Sequence, residues 1–252
     1  MIEFRGVHKS FGDKVVLAGV DLVIPAGQTT VILGASGSGK SVLLKHVVGL
    51  IEADEGEVLV GGQVVADLDY DGLQALRRRI GFVFQFAALF DSLTIEENLR
   101  LALDHRGLPP DEVAERVAES LRLVELDAVG DRYPAELSGG MRKRVGIARA
   151  ISLRPEYILY DEPTSGLDPV TTTIMDDLIL RAREALGTTS VVVSHDLASA
   201  FRIGDRIAML HEGRIREAGT VDAIRATQDP VVRQFIEGRA RLNPADPSGR
   251  KP

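Results

Sequence analysis

The chain has 252 residues, of which 44% are hydrophobic and 27% charged, and its formal net charge at pH 7 is −7. This composition is typical of a folded globular protein, and the acidic balance argues against sequence-independent nucleic-acid binding, which needs a basic face. Because cysteine is absent, disulfides, thiolate metal sites and cysteine nucleophiles are excluded.

Short apolar runs bounded by glycine or polar residues predict strands in the first third of the chain. These runs are Val15–Leu17, Val20–Ile24, Thr30–Leu33, Glu57–Val60, Gln63–Ala66 and Ile80–Gln85. Gly19 predicts a turn between the first two runs. The pair Gly61 and Gly62 predicts a two-residue hairpin, since both positions accept a positive φ.

The apolar pattern then becomes helical, and we expect a helical insertion from about residue 95 to residue 154. Thr94 and Glu97 form a capping box at its start. Further along, apolar residues recur at the spacing of one helix face, at Val113, Val117, Leu121 and Val124.

Strand and helix signals alternate again after the insertion, which indicates an α/β protein with a largely parallel sheet. Asp168 followed by Pro169 predicts the N-terminus of a helix. The expected strands, of which the last two form a hairpin, are Tyr157–Tyr160, Ser190–Ser194, Arg206–Leu210 and Arg214–Glu217.

No segment reaches the roughly 18 consecutive apolar residues that a membrane-spanning helix requires. Residues 1–14 also lack the apolar core of a signal peptide. We therefore expect a cytoplasmic protein that needs a partner for any function at a membrane. Residues 239–252 are polar and rich in proline, and we expect them to form a tail beyond a single domain of residues 1–238.

A glycine-rich loop follows the apolar run Thr30–Leu33, and a helix-forming segment follows the loop. The loop matches the phosphate-binding pattern G-x-x-x-x-G-K-[ST], with Gly34, Ala35, Ser36, Gly37, Ser38, Gly39, Lys40 and Ser41. Its backbone N–H groups would face the phosphates of a nucleotide. Lys40 would neutralise phosphate oxygens, and the Ser41 hydroxyl would bind Mg²⁺.

Two carboxylates end the strand at residues 157–160, where an open α/β sheet places its ligands. We expect Asp161 to hold the Mg²⁺ shell and Glu162 to act as the general base toward water. His195 follows another strand directly, and we expect it to hold phosphate and water in register. Gln85 ends the run that begins at Ile80. A lone glutamine would not indicate a function, and we expect a role for Gln85 only because it accompanies these residues.

Residues 137–141 read LSGGM, and residues 161–168 read DEPTSGLD. In isolation Ser138 is most simply a helix cap. Together with the phosphate-binding loop, these ordered motifs resemble the ABC ATPase family over nearly the whole chain to Gly238. The resemblance implies a P-loop fold with a mixed sheet core, an N-terminal antiparallel β subdomain and an inserted helical subdomain.

The resemblance also implies roles for individual residues. Gln85 matches the glutamine that senses Mg²⁺ and reports to a partner, and His195 matches the switch histidine. Phe11 stands where an aromatic ring usually stacks on adenine. The signature that caps the γ-phosphate of a second ATPase subunit is matched by Ser138, Gly139 and Gly140, and the aspartate across the dimer interface by Asp168.

One chain carries one phosphate-binding loop and one signature, whereas the shared site of the family needs both from different chains. We therefore expect a homodimer that binds two ATP molecules, closes with ATP and opens after hydrolysis. Two positions depart from the common pattern. Met141 stands where glutamine is usual, which removes a polar contact, and Phe11 replaces tyrosine while keeping the stacking face.

Several branches of the family can be excluded. The short separation of Lys40 and Ser138 leaves no room for the long coiled coil of chromosome- and repair-type members. The absence of cysteine excludes zinc- and iron–sulfur-bearing members, and the single set of motifs excludes two-domain translation-type members. The expected protein is a peripheral ATPase on the cytoplasmic face of the inner membrane, bound to an integral membrane permease.

The stretch at residues 83–99, Met141 and the ending at residues 229–238 resemble the Mla/Mce group of lipid-transport ATPases. This resemblance implies a lipid-binding Mce-type partner and a C-terminal tail that contacts the other ATPase subunit. We expect a subset of four apolar residues to line the groove that binds a helix of the permease, and the others to pack in the core. The four are Phe84, Phe86, Leu89 and Phe90. Two alternatives stay open: the ATPase of a small polar solute importer, and a non-transport ATPase that relays its state to cell-wall enzymes.

Overall fold

The structure is a computed structural model that describes residues 1–104 and 106–238. These residues form ten strands in two sheets and nine α-helices. The strands are β1 Ile2–Phe11, β2 Lys14–Ile24, β3 Thr29–Leu33, β4 Glu55–Val60, β5 Gln63–Val64, β6 Ile80–Val83, β7 Tyr157–Asp161, β8 Thr189–Ser194, β9 Arg206–His211 and β10 Arg214–Thr220. The helices are α1 Lys40–Val47, α2 Tyr70–Arg78, α3 Ile95–Asp104, α4 Pro110–Leu123, α5 Gly139–Ser152, α6 Pro169–Leu186, α7 Leu197–Ile203, α8 Val221–Arg225 and α9 Pro230–Ile236.

The first sheet is antiparallel, with the order β2-β1-β4-β5. The turn predicted at Gly19 is wrong, because β2 continues through this residue as one strand. Val7 pairs with Val20 and His8 pairs with Ala18, so Gly19 is an extra residue in β2. Its φ of 96° suits a β-bulge, where glycine accepts the positive angle without strain.

The hairpins predicted at the glycine pair 61–62 and at residues 212–213 are confirmed by the strand pairing and the backbone angles. Gly61 and Gly62 have φ values of 60° and 83°, and Glu212 and Gly213 have 49° and 73°. The strand predicted over Gln63–Ala66 is too long, because only its first two residues pair with β4 and a 3₁₀ turn begins at residue 65.

The second sheet has the order β10-β9-β3-β8-β7-β6 and is parallel except for β10. Its strand β6 ends at Val83, so Gln85 lies in the following turn and not in the predicted strand. The carboxyl ends of β3, β6, β7 and β8 lie along one edge of the sheet. This edge brings together the residues that follow Leu33, Val83, Asp161 and Ser194.

The second sheet separates two hydrophobic cores, and alternate residues of one strand enter opposite cores. Ile158 and Tyr160 pack toward the helical insertion, whereas Leu159 packs toward α1 and the first sheet. Because both faces are covered, the central strands β3 and β8 are buried along their whole length, and β7 is buried up to its last residue.

The helical insertion lies between β6 and β7 and comprises α3, α4 and α5. Its capping box is confirmed: Thr94 N–H donates to Glu97 Oε2 at 2.7 Å, and Glu97 N–H donates to Thr94 Oγ1 at 3.2 Å. The predicted fold class, a mixed sheet with an antiparallel sheet and a helical insertion, is therefore confirmed.

Five elements were not predicted from the sequence, namely β1, α2, α7, α8 and α9. The predicted C-terminal tail lies outside the described residues. Within the described ranges, the helices lack the combination of length and apolar character that crossing a bilayer requires.

Candidate active site

A cleft of about 620 Å³ opens where the carboxyl edge of the second sheet meets the first sheet. The phosphate-binding loop, the end of β7 and the residue after β8 all contribute to its wall. The lining residues are Phe11, Lys14, Val16, Ser36, Gly37, Gly39, Lys40, Ser41, Val42, Gln85, Glu162, Ser165 and His195.

The phosphate-binding loop curls around the Nζ atom of Lys40. This atom donates to the backbone oxygens of Gly34 and Ala35, at 2.9 and 3.1 Å. Gly37 and Gly39 adopt φ values of 76° and 103°, which other residues rarely accept. Gly39 is the N-cap of α1 and has no side chain to cap it, so the N–H groups at this helix end are available to an anion.

Ser41 lines the cleft and contacts Asp161, which does not line it. The hydroxyl of Ser41 donates to Oδ1 of Asp161 at 2.7 Å. Burial raises the pKa of the Asp161 carboxyl, while the Ser41 hydrogen bond and nearby lysines oppose that rise. A hydroxyl beside a carboxylate is the kind of oxygen pair that holds Mg²⁺ together with nucleotide phosphates.

Glu162 contacts two other residues of the cleft through its two carboxylate oxygens. Its Oε1 lies 3.2 Å from Nζ of Lys40, and its Oε2 lies 2.8 Å from Nδ1 of His195. The backbone of Glu162 has a φ of 49°, an unfavourable angle for a residue with a side chain. The Glu162 N–H holds this conformation by donating to the Val193 oxygen at 3.0 Å. Strain of this kind recurs at functional sites.

The structure brings many of the predicted site residues together at the cleft. Phe11, which is 49% exposed, and Gln85 line it beside Lys40, Glu162 and His195. Three residues of the phosphate-binding loop do not line it, namely Gly34, Ala35 and Ser38. Within one chain the signature and the interface aspartate do not line it either, namely Ser138, Gly139, Gly140 and Asp168.

Ser138 and Asp168 each cap a helix. Ser138 Oγ accepts from Met141 N–H at 3.2 Å at the start of α5, and Asp168 Oδ1 accepts from two N–H groups at the start of α6. The helix start predicted at Asp168 is thus confirmed, whereas its contact across a dimer interface stays a prediction. Met141 packs partly buried against the larger core.

Sequence reasoning missed four residues of the cleft wall: Lys14, Val16, Val42 and Ser165. Val42 follows Ser41 directly, and Ser165 lies within the motif at residues 161–168, so the sequence held a usable signal for both. Lys14 and Val16 reach the cleft only because β2 passes close to the loop: a Cβ on Gly39 would lie 3.0 Å from a methyl carbon of Val16.

A family model described as ABC transporter matches residues 17–165. The chain is 39% identical to a probable ribonucleotide transport ATP-binding protein of Mycobacterium leprae, over 99% of this chain and 72% of that protein. It is also 39% identical to the protein TRIGALACTOSYLDIACYLGLYCEROL 3 of Arabidopsis thaliana, over 94% of this chain and 74% of that protein. Identity to a methionine import ATP-binding protein of Caulobacter vibrioides is 43%, over 89% of this chain and 68% of that protein.

Among solved structures, the fold resembles a dimeric ATP-binding cassette, MJ0796, in a post-hydrolysis state bound to ADP and phosphate. The TM-score is 0.80 at 36% identity, over 88% of this chain and 99% of that one. The family match covers more than half of the chain, and the relatives match nearly all of it. The chain is therefore an ATPase and belongs to the ABC transporter family of ATP-binding cassettes.

Proposed function

We propose that the cleft binds Mg-ATP and that two copies of this chain hydrolyse it at shared sites to energise lipid transport through a membrane permease. The observation that carries the catalytic part is the contact chain from Lys40 through Glu162 to His195, with separations of 3.2 and 2.8 Å. Residues from three segments of the chain thereby meet at one carboxylate.

The cleft fits the nucleotide by the chemistry of its wall. Phe11 offers an exposed ring face for adenine, and the loop from Gly34 to Ser41 offers N–H groups and the Lys40 ammonium for phosphate. Ser41 and Asp161 supply oxygen ligands for Mg²⁺, with Gln85 at the same wall. Bound Mg²⁺ would neutralise charge on the phosphates.

Glu162 is proposed as the base that accepts a proton from the attacking water. Its Oε1 is near Lys40 and its Oε2 is near His195, so both oxygens are oriented before ATP enters. His195 keeps the carboxylate in place and itself lines the cleft. Orientation of this kind is what general-base catalysis requires of a positioned side chain.

The arrangement within one chain supports a site completed by a second copy. Ser138, Gly139 and Gly140 stand at the exposed start of α5, which is a second helix N-terminus suited to an anion. They lie away from the cleft of their own chain. A dimer in which each α5 faces the other chain's nucleotide would use both features, and the solved relative with ADP and phosphate is dimeric.

A permease contact is supported by exposed aromatic residues just after β6. Phe86 is 86% exposed, and Phe84 and Phe90 are also exposed, whereas Leu89 packs against the core. Clustered exposed aromatic residues are unusual on a monomer surface and mark contact sites. We propose that Phe84, Phe86 and Phe90 receive the permease at the cytoplasmic face of the inner membrane.

The lipid cargo is supported by the stretch at residues 83–99 and by Met141. The Arabidopsis relative carries the name of a glycolipid, which is of the proposed substrate class. A second candidate is a small polar solute, because the methionine import protein is 43% identical. The Mycobacterium relative is named for ribonucleotide transport, and all these cargoes are compatible with the same ATPase cleft.

The experiment is affinity purification of the tagged subunit from native membranes, with mass spectrometry of proteins and lipids. Recovery of a permease, an Mce-type lipid-binding protein and enriched phospholipid supports the proposal. Recovery of a permease with a solute-binding protein and no enriched lipid supports the importer instead. The control is the same purification from cells that produce the Phe86→Ser variant. This variant should lose the permease while the ATP cleft is unchanged.

A further inference from the structure

Helix α5 carries two cations that bind the two loops of the ATP cleft. Lys143 Nζ donates to the backbone oxygens of Ser165 and Pro163, at 2.5 and 3.1 Å. Two turns further along, Arg149 donates to the backbone oxygens of Ala88 and Ala87, at 2.5 and 2.7 Å. One helix therefore holds both the loop after Glu162 and the loop after Gln85.

The loop after Gln85 has an unusual backbone that Arg149 stabilises. Ala87 and Ala88 have φ values of 60° and 50°, and consecutive left-handed residues with side chains are unfavourable. Ala87 is 2% exposed and packs on Gly146 of α5, where an added Cβ would lie 3.4 Å from its Cα. The loop is thus held against α5 by packing and by two hydrogen bonds of the guanidinium group.

Lys143 holds the loop after Glu162 in the same manner, by hydrogen bonds to its backbone oxygens. Ser165 N–H donates to the Glu162 oxygen at 3.2 Å, so the carbonyl that Lys143 binds lies one turn from the strained Glu162 backbone. Ser165 itself lines the cleft. Any shift of α5 therefore acts on the backbone that orients Glu162.

The contacts are formed by charged groups that are partly withdrawn from water. Burial lowers the pKa of Lys143, and the nearby charge of Glu162 opposes that change. Burial also lowers the pKa of Arg149, which nevertheless stays protonated because the guanidinium pKa is so high. Among the described residues Arg149 donates to carbonyl oxygens and forms no ion pair. Hydrogen bonds from charged donors are stronger than neutral ones.

We propose that Lys143 and Arg149 are positioning residues, which transmit the position of the signature end of α5 to Glu162 and Gln85. The inference rests on the proposed roles of those two residues and of Ser138, Gly139 and Gly140. When a second chain's nucleotide fixes the start of α5, both cleft loops become fixed with it. Loss of either cation should reduce turnover while leaving ATP affinity of the single chain unchanged.

The test compares Lys143→Met and Arg149→Met with Arg144→Met. Arg144 lies on the same helix and also donates to backbone oxygens, at 3.1 and 3.4 Å, but these belong to Val124 and Glu125 away from the cleft. For each variant we would measure kcat, KM, the ATP dissociation constant and the melting temperature.

The first two variants should lose on the order of ten- to a hundredfold in kcat, with ATP affinity within about twofold of the parent. Arg149→Lys, which keeps the charge and one hydrogen bond, should recover part of the loss and serves where Arg149→Met is unstable. Arg144→Met should retain the parental kcat.

The proposal fails if Arg144→Met lowers kcat as much as the other two, or if Lys143→Met and the folded Arg149 variants keep the parental kcat. Glu162→Gln, measured alongside, separates this outcome from failure of the proposed function. Unimpaired hydrolysis by that variant contradicts the proposed function, whereas its loss beside unaffected Lys143 and Arg149 variants contradicts only the inference.

Discussion

Nζ of Lys40 lies 3.2 Å from Oε1 of Glu162, with the two side chains 5% and 12% exposed. The same ammonium group binds the backbone oxygens of Gly34 and Ala35. These partners satisfy a cation that burial would otherwise make unfavourable. Phosphate oxygens that enter the cleft would compete with Glu162 for Lys40. Once Lys40 binds phosphate, Glu162 is released from this ion pair and can accept a proton from water.

Replacement of Lys40 by alanine removes this cation. We expect Lys40→Ala to weaken ATP binding about ten- to a hundredfold, because a charged hydrogen-bond donor to phosphate is lost. Lys45→Ala is the matched control, since Lys45 is an exposed lysine on the same helix. Titration calorimetry with a non-hydrolysable ATP analogue measures both variants. Unchanged affinity in Lys40→Ala would count against a phosphate site at this loop.

Replacement of His195 removes the second partner of Glu162. We expect His195→Ala to lower kcat by about a hundredfold, since the carboxylate loses the group that orients it. ATP affinity should change little, because the Lys40 and Ser41 contacts remain. Steady-state kinetics together with a binding titration separates the two effects. A large loss of affinity at parental kcat would contradict the proposed positioning role.

Asp176 predicts a pH dependence of stability that is independent of ATP. Burial raises the pKa of this 2% exposed carboxyl to about 6, although its Oδ2 accepts from Ser199 Oγ at 3.0 Å. Since this pKa exceeds that of the unfolded chain, the folded protein binds the proton more tightly. Stability therefore increases as the pH falls from above 6 toward 4, and the ionised form is unfavourable at pH 8.

We accordingly expect Asp176→Asn to raise the free energy of unfolding at pH 8 by about 1–2 kcal/mol. The gain should shrink at pH 5.5, where much of the parental carboxyl is already neutral. Asp177→Asn is the control, because Asp177 is on the same helix but forms an exposed ion pair with Arg202. It should change stability by less than about 1 kcal/mol. Urea unfolding at the two pH values gives the comparison, and an equal effect of Asp176→Asn at both would contradict the account.

Local sequence signals were sufficient for many features of the fold and of the cleft. Glycine pairs predicted the hairpin at Gly61, and residues adjacent along the chain predicted the loop from Gly34 to Ser41. The bulge at Gly19 was not predictable, because a bulge is defined by the pairing of the strand with its neighbour. The same glycine, read alone, is typical of a turn.

Long-range contacts limited the remaining predictions. The helix α2 was missed because Leu73 and Leu76 are the large apolar side chains that it packs on the core, and two such residues are too few to establish a helical period. Lys143 and Arg149 were overlooked because their partners are backbone oxygens of distant loops, and such partners leave no residue pattern in the sequence. Their contacts are seen only in the folded structure.

The central claim is that two copies of this chain complete each ATP site, and the most direct measurement is the mass of Glu162→Gln in solution with Mg-ATP. Light scattering coupled to gel filtration should find a dimer with ATP and a monomer without it. The double variant that carries Ser138→Arg as well as Glu162→Gln should still bind ATP but stay monomeric. The larger side chain obstructs the nucleotide of the second chain. Thr220→Arg, a change at an exposed helix cap of α8, should leave the dimer intact. A Glu162→Gln chain that binds ATP as a monomer, or a dimer that persists with Ser138→Arg, would contradict the account.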